Sequence, residues 1–104
     1  MDLRNVVVAI SGASGSIYGI RVLQMLRQVE DVNSHLVITP SAKSTIGVET
    51  EYSVSEIEEL ADEVHSARDI GASIASGSFK TVGMIVAPCS IKTLSAIALS
   101  LIHI

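Results

Sequence analysis

Aromatic residues are nearly absent: the chain has two Tyr, one Phe and no Trp. Proteins that hold single-stranded nucleic acid stack its bases on aromatic rings, so that ligand finds no platform here. Positive charge is scarce as well. Seven Lys and Arg against eleven Asp and Glu leave a formal charge of −4, which removes the electrostatic basis for gripping a phosphate polymer. One cysteine, Cys89, excludes an internal disulfide framework and fits a reducing compartment. No apolar run approaches the ~20 residues that cross a bilayer. The longest, residues 94–104, suits a core helix or a partner surface. The start, Met1-Asp2-Leu3-Arg4-Asn5, lacks a basic stretch leading into an apolar one, so no secretory leader is expected and the expected location is cytoplasmic.

What is present is the material for a core. Of 104 residues, 48% are hydrophobic and 17% charged, the reverse of a disordered composition. A chain of this length makes one domain at most.

Residues 5–11 read as a strand, because Val6, Val7, Val8 and Ile10 form a β-branched run typical of a parallel strand covered on both faces. The turn Ser11-Gly12-Ala13-Ser14-Gly15-Ser16-Ile17-Tyr18-Gly19 follows. Ile17, Ile20, Leu23 and Leu26 recur at helical spacing and predict a helix over 16–29, broken by Asp31-Val32-Asn33. His35 starts a second strand, Leu36-Val37-Ile38, which ends at Thr39-Pro40; a helical stretch begins at Ser41. The next segment is acidic, with Glu49, Glu51, Glu56, Glu58, Glu59, Asp62 and Glu63. Within it Ser55 and Glu58 have capping-box spacing, and Ile57, Leu60, Ala61 and Val64 make an apolar stripe, predicting an amphipathic helix with a solvated acidic face. His65 follows, placed to interact with that helix's C-terminal end. Residues 69–79 receive no assignment. Met84-Ile85-Val86-Ala87 is a third strand stopped by Pro88, and a last helix runs from 90 to the end.

Strands alternating with helices imply right-handed crossovers. The expected fold is α/β: a doubly wound, Rossmann-like or flavodoxin-like parallel sheet in three layers. Three strands are few for this class, so the expectation is the first part of a larger domain, stopping after the third strand and its helix.

In an open parallel sheet, ligands bind beyond the carboxyl ends of the strands. All three predicted ends carry small polar residues: Ser11 to Ser16, then Thr39 and Ser41, then Ser90 and Thr93. Each end also opens a helix, whose free N–H groups attract phosphate. A dinucleotide fingerprint requires G-x-G-x-x-G and an acid closing the second strand. Here the glycines stand at 12, 15 and 19, that strand ends Ile38-Thr39-Pro40, and no Walker lysine follows. The phosphate reading survives while NAD and ATP recede; the plain alternative is a tight turn without ligand. Pro88-Cys89-Ser90-Ile91-Lys92-Thr93 gathers a hydroxyl, a cation and free amides at one helix start, or is simply a capped helix with a solvated lysine. Cys89 has either thiolate character there or the role of a small buried residue. Glu49 is a lone carboxylate. No His, Cys and Asp spacing matches a metal site.

Taken together, these segments resemble the UbiX-type flavin prenyltransferases. The matching pieces are Ile10-Ser11-Gly12-Ala13-Ser14-Gly15 with Tyr18-Gly19, His35 to Thr39, Glu49-Thr50-Glu51, His65 to Asp69, Ser76-Gly77-Ser78-Phe79, and Gly83 through Ser95. They cover about residues 4–98. The resemblance implies transfer of a dimethylallyl group from dimethylallyl phosphate to reduced flavin mononucleotide (FMN), without a metal. The product would be the cofactor of a UbiD-type decarboxylase, in ubiquinone biosynthesis or aromatic-acid decarboxylation, and the enzyme a homo-oligomer. It also implies that Gly12, Ala13, Ser14, Thr39, Ser90, Ile91, Lys92 and Thr93 contact FMN. Ser14 would lie near the prenyl phosphate, and Glu49 would assist proton movement. Thr39 stands where the family usually has Ser. The tail Leu99-Ser100-Leu101-Ile102-His103-Ile104 departs from the family, whose members continue into further strands; the implied chain is an incomplete copy. The alternatives are an FMN-dependent cysteine decarboxylase of the phosphopantothenoylcysteine type, whose usual Pro-Ala-small-Asn-Thr element and catalytic His are missing here, and a non-catalytic fragment.

Overall fold

The computed structural model describes residues 4–75 and 83–88. In chain order its elements are β1 (Arg4–Ile10), α1 (Ser16–Leu26), β2 (Val32–Ile38), α2 (Pro40–Glu49), α3 (Val54–Leu60), β3 (Glu63–His65), α4 (Ala67–Ala75) and β4 (Gly83–Val86). Branching at Cβ stiffens Val6, Val7 and Val8 and favours extended backbone. They form a central strand of a parallel sheet ordered β3-β2-β1-β4. In register, Val7 lies between His35 of β2 and Met84 of β4.

Alternation along the strands sends Val8, Ile10, Leu36 and Ile38 to one face and Val7 and Val37 to the other. The first face is covered by Ile20 and Leu23 of α1, Ala42 and Ile46 of α2, and Ile57 of α3, all without solvent exposure. Each fully buried Ile or Leu contributes roughly 1.5–3 kcal/mol. The second face is covered by Ile70 of α4. Helices on both faces of a parallel sheet make the expected three-layer α/β architecture.

Several element assignments change. The sheet has four strands among the described residues, not three, because Glu63-Val64-His65 pairs with β2. Val64 therefore leaves the predicted helical stripe for an edge strand. Three residues with one apolar side chain present no alternation to read. The capping box belongs to Ser53 and Glu56 rather than Ser55 and Glu58. Ser53 Oγ accepts from the Glu56 amide at 3.1 Å, and Glu56 Oε1 accepts from the Ser53 amide at 3.0 Å. The α3 helix starts one turn-half earlier, so the cap moves with it. The predicted break at Asp31-Val32-Asn33 instead contains the start of β2, and α1 ends at Leu26 rather than 29. Residues 67–75, mostly unassigned from sequence, form α4. The predicted last helix lies outside the described residues.

His35 sits within β2, not at its start, and is buried. Its Nδ1 is 2.8 Å from His65 Nε2, and the two rings meet edge to edge, their centroids 5.1 Å apart and their planes 21° from parallel. His65 thus meets a histidine across the sheet instead of a helix end. Burial pushes the His35 imidazole below its ordinary pKa; Glu63 opposes the shift, His65 reinforces it and Asp62 opposes it.

The crossovers from β1 to β2 and from β2 to β3 share one face, while α4 returns on the other face to reach β4. The winding direction therefore reverses between β1 and β4. At such a switch the loops leaving two neighbouring strands diverge and open a crevice at their carboxyl ends.

Candidate functional site

The loop of residues 11–15 leaves β1 at this switch point. Its first residue bridges the crevice: the buried Ser11 hydroxyl donates to the Pro88 carbonyl at 2.6 Å, just past β4. Gly15 then takes φ +109°, a left-handed conformation that only glycine adopts at no cost. Gly19, one turn into α1, brings the helix close to β1 and β4. A Cβ there would stand 2.7 Å from Ile10 Cγ1 and would also strike the Ala87 carbonyl.

The other wall of the loop is one face of α2. Ser41, Thr45 and Glu49 recur every fourth residue, so they stack along a single helix side. Each reaches the loop. Ser41 lies against Gly12, where an added Cβ would come within 2.8 Å of the Ser41 Cβ. Thr45 Oγ1 shares its one hydrogen between the Gly12 carbonyl at 3.2 Å and the Ser41 carbonyl of its own helix at 3.0 Å. Glu49 Oε1 accepts from the Gly15 amide at 3.2 Å and from Ser16 Oγ at 3.4 Å. This periodic polar face was present in the sequence, but only the position of α2 gives it meaning.

Glu49 also answers a local need. The N-cap of α1, Gly15, has no side chain to cap with, and its first turn contains no acid. A carboxylate from the end of α2 meets the positive end of α1 instead. At the opposite end of α2, Thr39 is the N-cap: its Oγ1 accepts from the Ala42 amide at 3.2 Å and lies 3.3 Å from Ser41 Oγ. Pro40 occupies the first helical position, where no N–H is needed.

Of the residues singled out from sequence, Gly12, Ala13, Ser14, Thr39 and Glu49 border this crevice. Gly12 and Ala13 are half-buried and Ser14 is exposed. Thr39 and Glu49 do not meet, since ten residues of α2 separate them by roughly 15 Å along the helix. Ser90, Ile91, Lys92 and Thr93 lie outside the described residues, as does Cys89. Ser11, Ser16, Ser41 and Thr45 join the site through the bonds above.

This arrangement offers polar groups to a phosphorylated ligand: the hydroxyls of Ser14, Thr39 and Ser41 and the N-terminus of α2. Gly12 is required by α2, because Ser41 fills the space that a side chain would take.

Known proteins are similar to this chain in sequence and in fold. Flavin prenyltransferase UbiX of Escherichia coli (strain K12) is 56% identical over 95 residues, covering 91% of this chain and 50% of that protein. The crystal structure of AnUbiX (PadA1) in complex with FMN and dimethylallyl pyrophosphate has a TM-score of 0.84 to this chain. It is 47% identical, with 95% of this chain and 52% of that one covered. A dodecameric FMN-dependent UbiX-like decarboxylase from Escherichia coli O157:H7 has a TM-score of 0.82 at 46% identity, over 91% of this chain and 51% of that one. The chain spans about half the length of these relatives. A family model described as Flavoprotein matches residues 1–102, nearly the whole chain, so the chain belongs to the Flavoprotein family.

Proposed function

We propose that this chain is the N-terminal part of a single flavoprotein domain and forms the FMN-binding side of a flavin prenyltransferase. The observation that carries the reading is the α2 face, Ser41, Thr45 and Glu49, laid against the loop of residues 11–15. Its support is the 56% identity to a UbiX flavin prenyltransferase.

Bound reduced FMN would supply the nucleophilic flavin ring that takes up a dimethylallyl group from dimethylallyl phosphate. The chain's own residues perform the rest. Gly12 and Ala13 offer backbone against which the flavin nucleotide rests, and Thr39 presents a hydroxyl at the start of α2. Ser14, exposed at the loop, is placed to donate to a phosphate oxygen. Ser90, Ile91, Lys92 and Thr93 are assigned the opposing wall from the family pattern. Glu49, held by the Gly15 amide and the Ser16 hydroxyl, holds or passes a proton at its carboxylate as the new bonds form.

The product of such a reaction is a prenylated flavin cofactor of the kind used by UbiD-type decarboxylases. Assembly as a homo-oligomer is proposed by analogy with the dodecameric relative, and a cytoplasmic location from the single cysteine. Among the described residues no helix is long and apolar enough to cross a membrane.

Two measurements test this. Titration of FMN with the chain should quench flavin fluorescence saturably, and Gly12→Ala should weaken it. A chimera carrying this chain in place of the matching half of the E. coli enzyme should raise the mass of reduced FMN when dimethylallyl phosphate is added. An unchanged flavin mass in a folded, FMN-binding chimera would count against prenyl transfer and favour a cradle without this chemistry.

A further inference from the structure

We propose that His35, Glu63 and His65 form a binding site for a zinc-type divalent cation on the α4 face of the sheet, independent of the flavin site. Glu63 and His65 are two apart on β3 and point to one face, and His35 pairs in register with Glu63 on the neighbouring strand. One ligating atom from each lies within 4.8 Å of the others.

The groups around His35 Nε2 favour one tautomer. Asn33 Nδ2 has two hydrogens, and they serve Glu63 Oε2 at 2.7 Å and Asn5 Oδ1 at 3.2 Å. Asn33 Nδ2 also lies 3.0 Å from His35 Nε2, and Asn5 Oδ1 lies 3.0 Å from that same nitrogen. Were His35 Nε2 unprotonated, it would face the Asn5 oxygen lone pair to lone pair. Protonated at Nε2, His35 donates to Asn5 Oδ1, which then accepts from both neighbours, and the 3.0 Å approach of Asn33 Nδ2 is a contact between two donors rather than a hydrogen bond. It leaves the Nδ1 lone pair aimed at His65 Nε2, 2.8 Å away. A far-side N–H held by a carbonyl oxygen is the outer support that metal-binding histidines have.

Between the two imidazoles a single hydrogen now bridges. A cation replaces it when His65 moves that proton to Nδ1 and the nitrogens part by about half an ångström, as ~2.0 Å metal–nitrogen bonds require. The Glu63 carboxylate, 3.4 Å from His35 Nε2, is half exposed and turns toward Nδ1 to supply an oxygen, opening the ion's entry path. His35, almost fully buried, is the fixed ligand. Two imidazoles and one carboxylate select Zn²⁺, Co²⁺, Ni²⁺ or Cu²⁺ over Mg²⁺ and Ca²⁺, which favour all-oxygen sites. The bound ion would tie the three-residue edge strand β3 to β2.

The test uses the whole chain, stripped with EDTA and dialysed, and titrated with Co²⁺. Expected are one equivalent bound, visible absorption of a low-coordinate cobalt site, displacement by Zn²⁺ and none by Mg²⁺. His65→Gln and Glu63→Gln, both at accessible positions, should each weaken Co²⁺ binding at least about tenfold, and Asn5→Ala should do so by about 10–100-fold through His35. Circular dichroism melts verify that each variant is folded. A folded chain that takes up no Co²⁺ saturably overturns the proposal, and so does binding that survives the His65→Gln/Glu63→Gln double substitution.

Discussion

Glu49 Oε1 accepts a hydrogen bond from the Gly15 amide at 3.2 Å across 34 positions of sequence, so the last residue of α2 sets its carboxylate at the N-terminus of α1. The same carboxylate therefore has a structural duty, meeting a helix dipole, and a proposed chemical one. Glu49→Gln separates them. The amide keeps the shape but loses the charge, so stability should fall by only about 0.3–1 kcal/mol in urea unfolding. In the chimeric enzyme, loss of a proton-moving group should slow prenyl transfer by about 10²-fold or more. Equal small effects on both would assign Glu49 to the helix dipole alone.

Gly12 and Ser41 share a space that holds one side chain. Gly12→Ala should drive the loop from α2, weaken FMN binding at least tenfold and cost about 1–3 kcal/mol. Because the steric conflict includes the Ser41 Cβ at 2.8 Å, Gly12→Ala/Ser41→Gly should recover most of the lost stability. A double variant no better than Gly12→Ala would mean that the loop backbone, not the contact, sets the requirement.

Gly19 and Gly47 are both helical glycines, and alanine should act on them with opposite sign. Nothing lies within 4 Å of a Cβ built at Gly47, so Gly47→Ala should stabilise by about 0.5–1 kcal/mol through helix propensity. At Gly19 the same gain is outweighed by overlap with Ile10 and the Ala87 carbonyl, a cost of about 1–3 kcal/mol. Thermal melts of the two variants should therefore shift in opposite directions.

Ser53 and Ser55 offer a similar contrast. Ser53→Ala removes a reciprocal cap and should cost about 1 kcal/mol, whereas Ser55→Ala at an exposed helical position should stay within about 0.5 kcal/mol. Denaturant midpoints decide it; equal losses would show that the cap position frays.

Local chemistry by itself determined a good deal of this protein. The β-branched run of β1, the helical spacing of Ile20 and Leu23, and the glycines at 12, 15 and 19 are short-range signals. They specified a parallel strand, a helix and the tight glycine turn between them. The order of such units then specified the α/β class. Tertiary structure decided what short range cannot contain. β3 has one apolar residue and exists because β2 offers it a partner; the polar residues at 41, 45 and 49 became a wall only when α2 lay along the loop. His35 and His65, thirty positions apart, meet because parallel pairing brings β2 and β3 into register. In each case the deciding energy is a contact between distant segments, and a one-dimensional pattern carries no record of it.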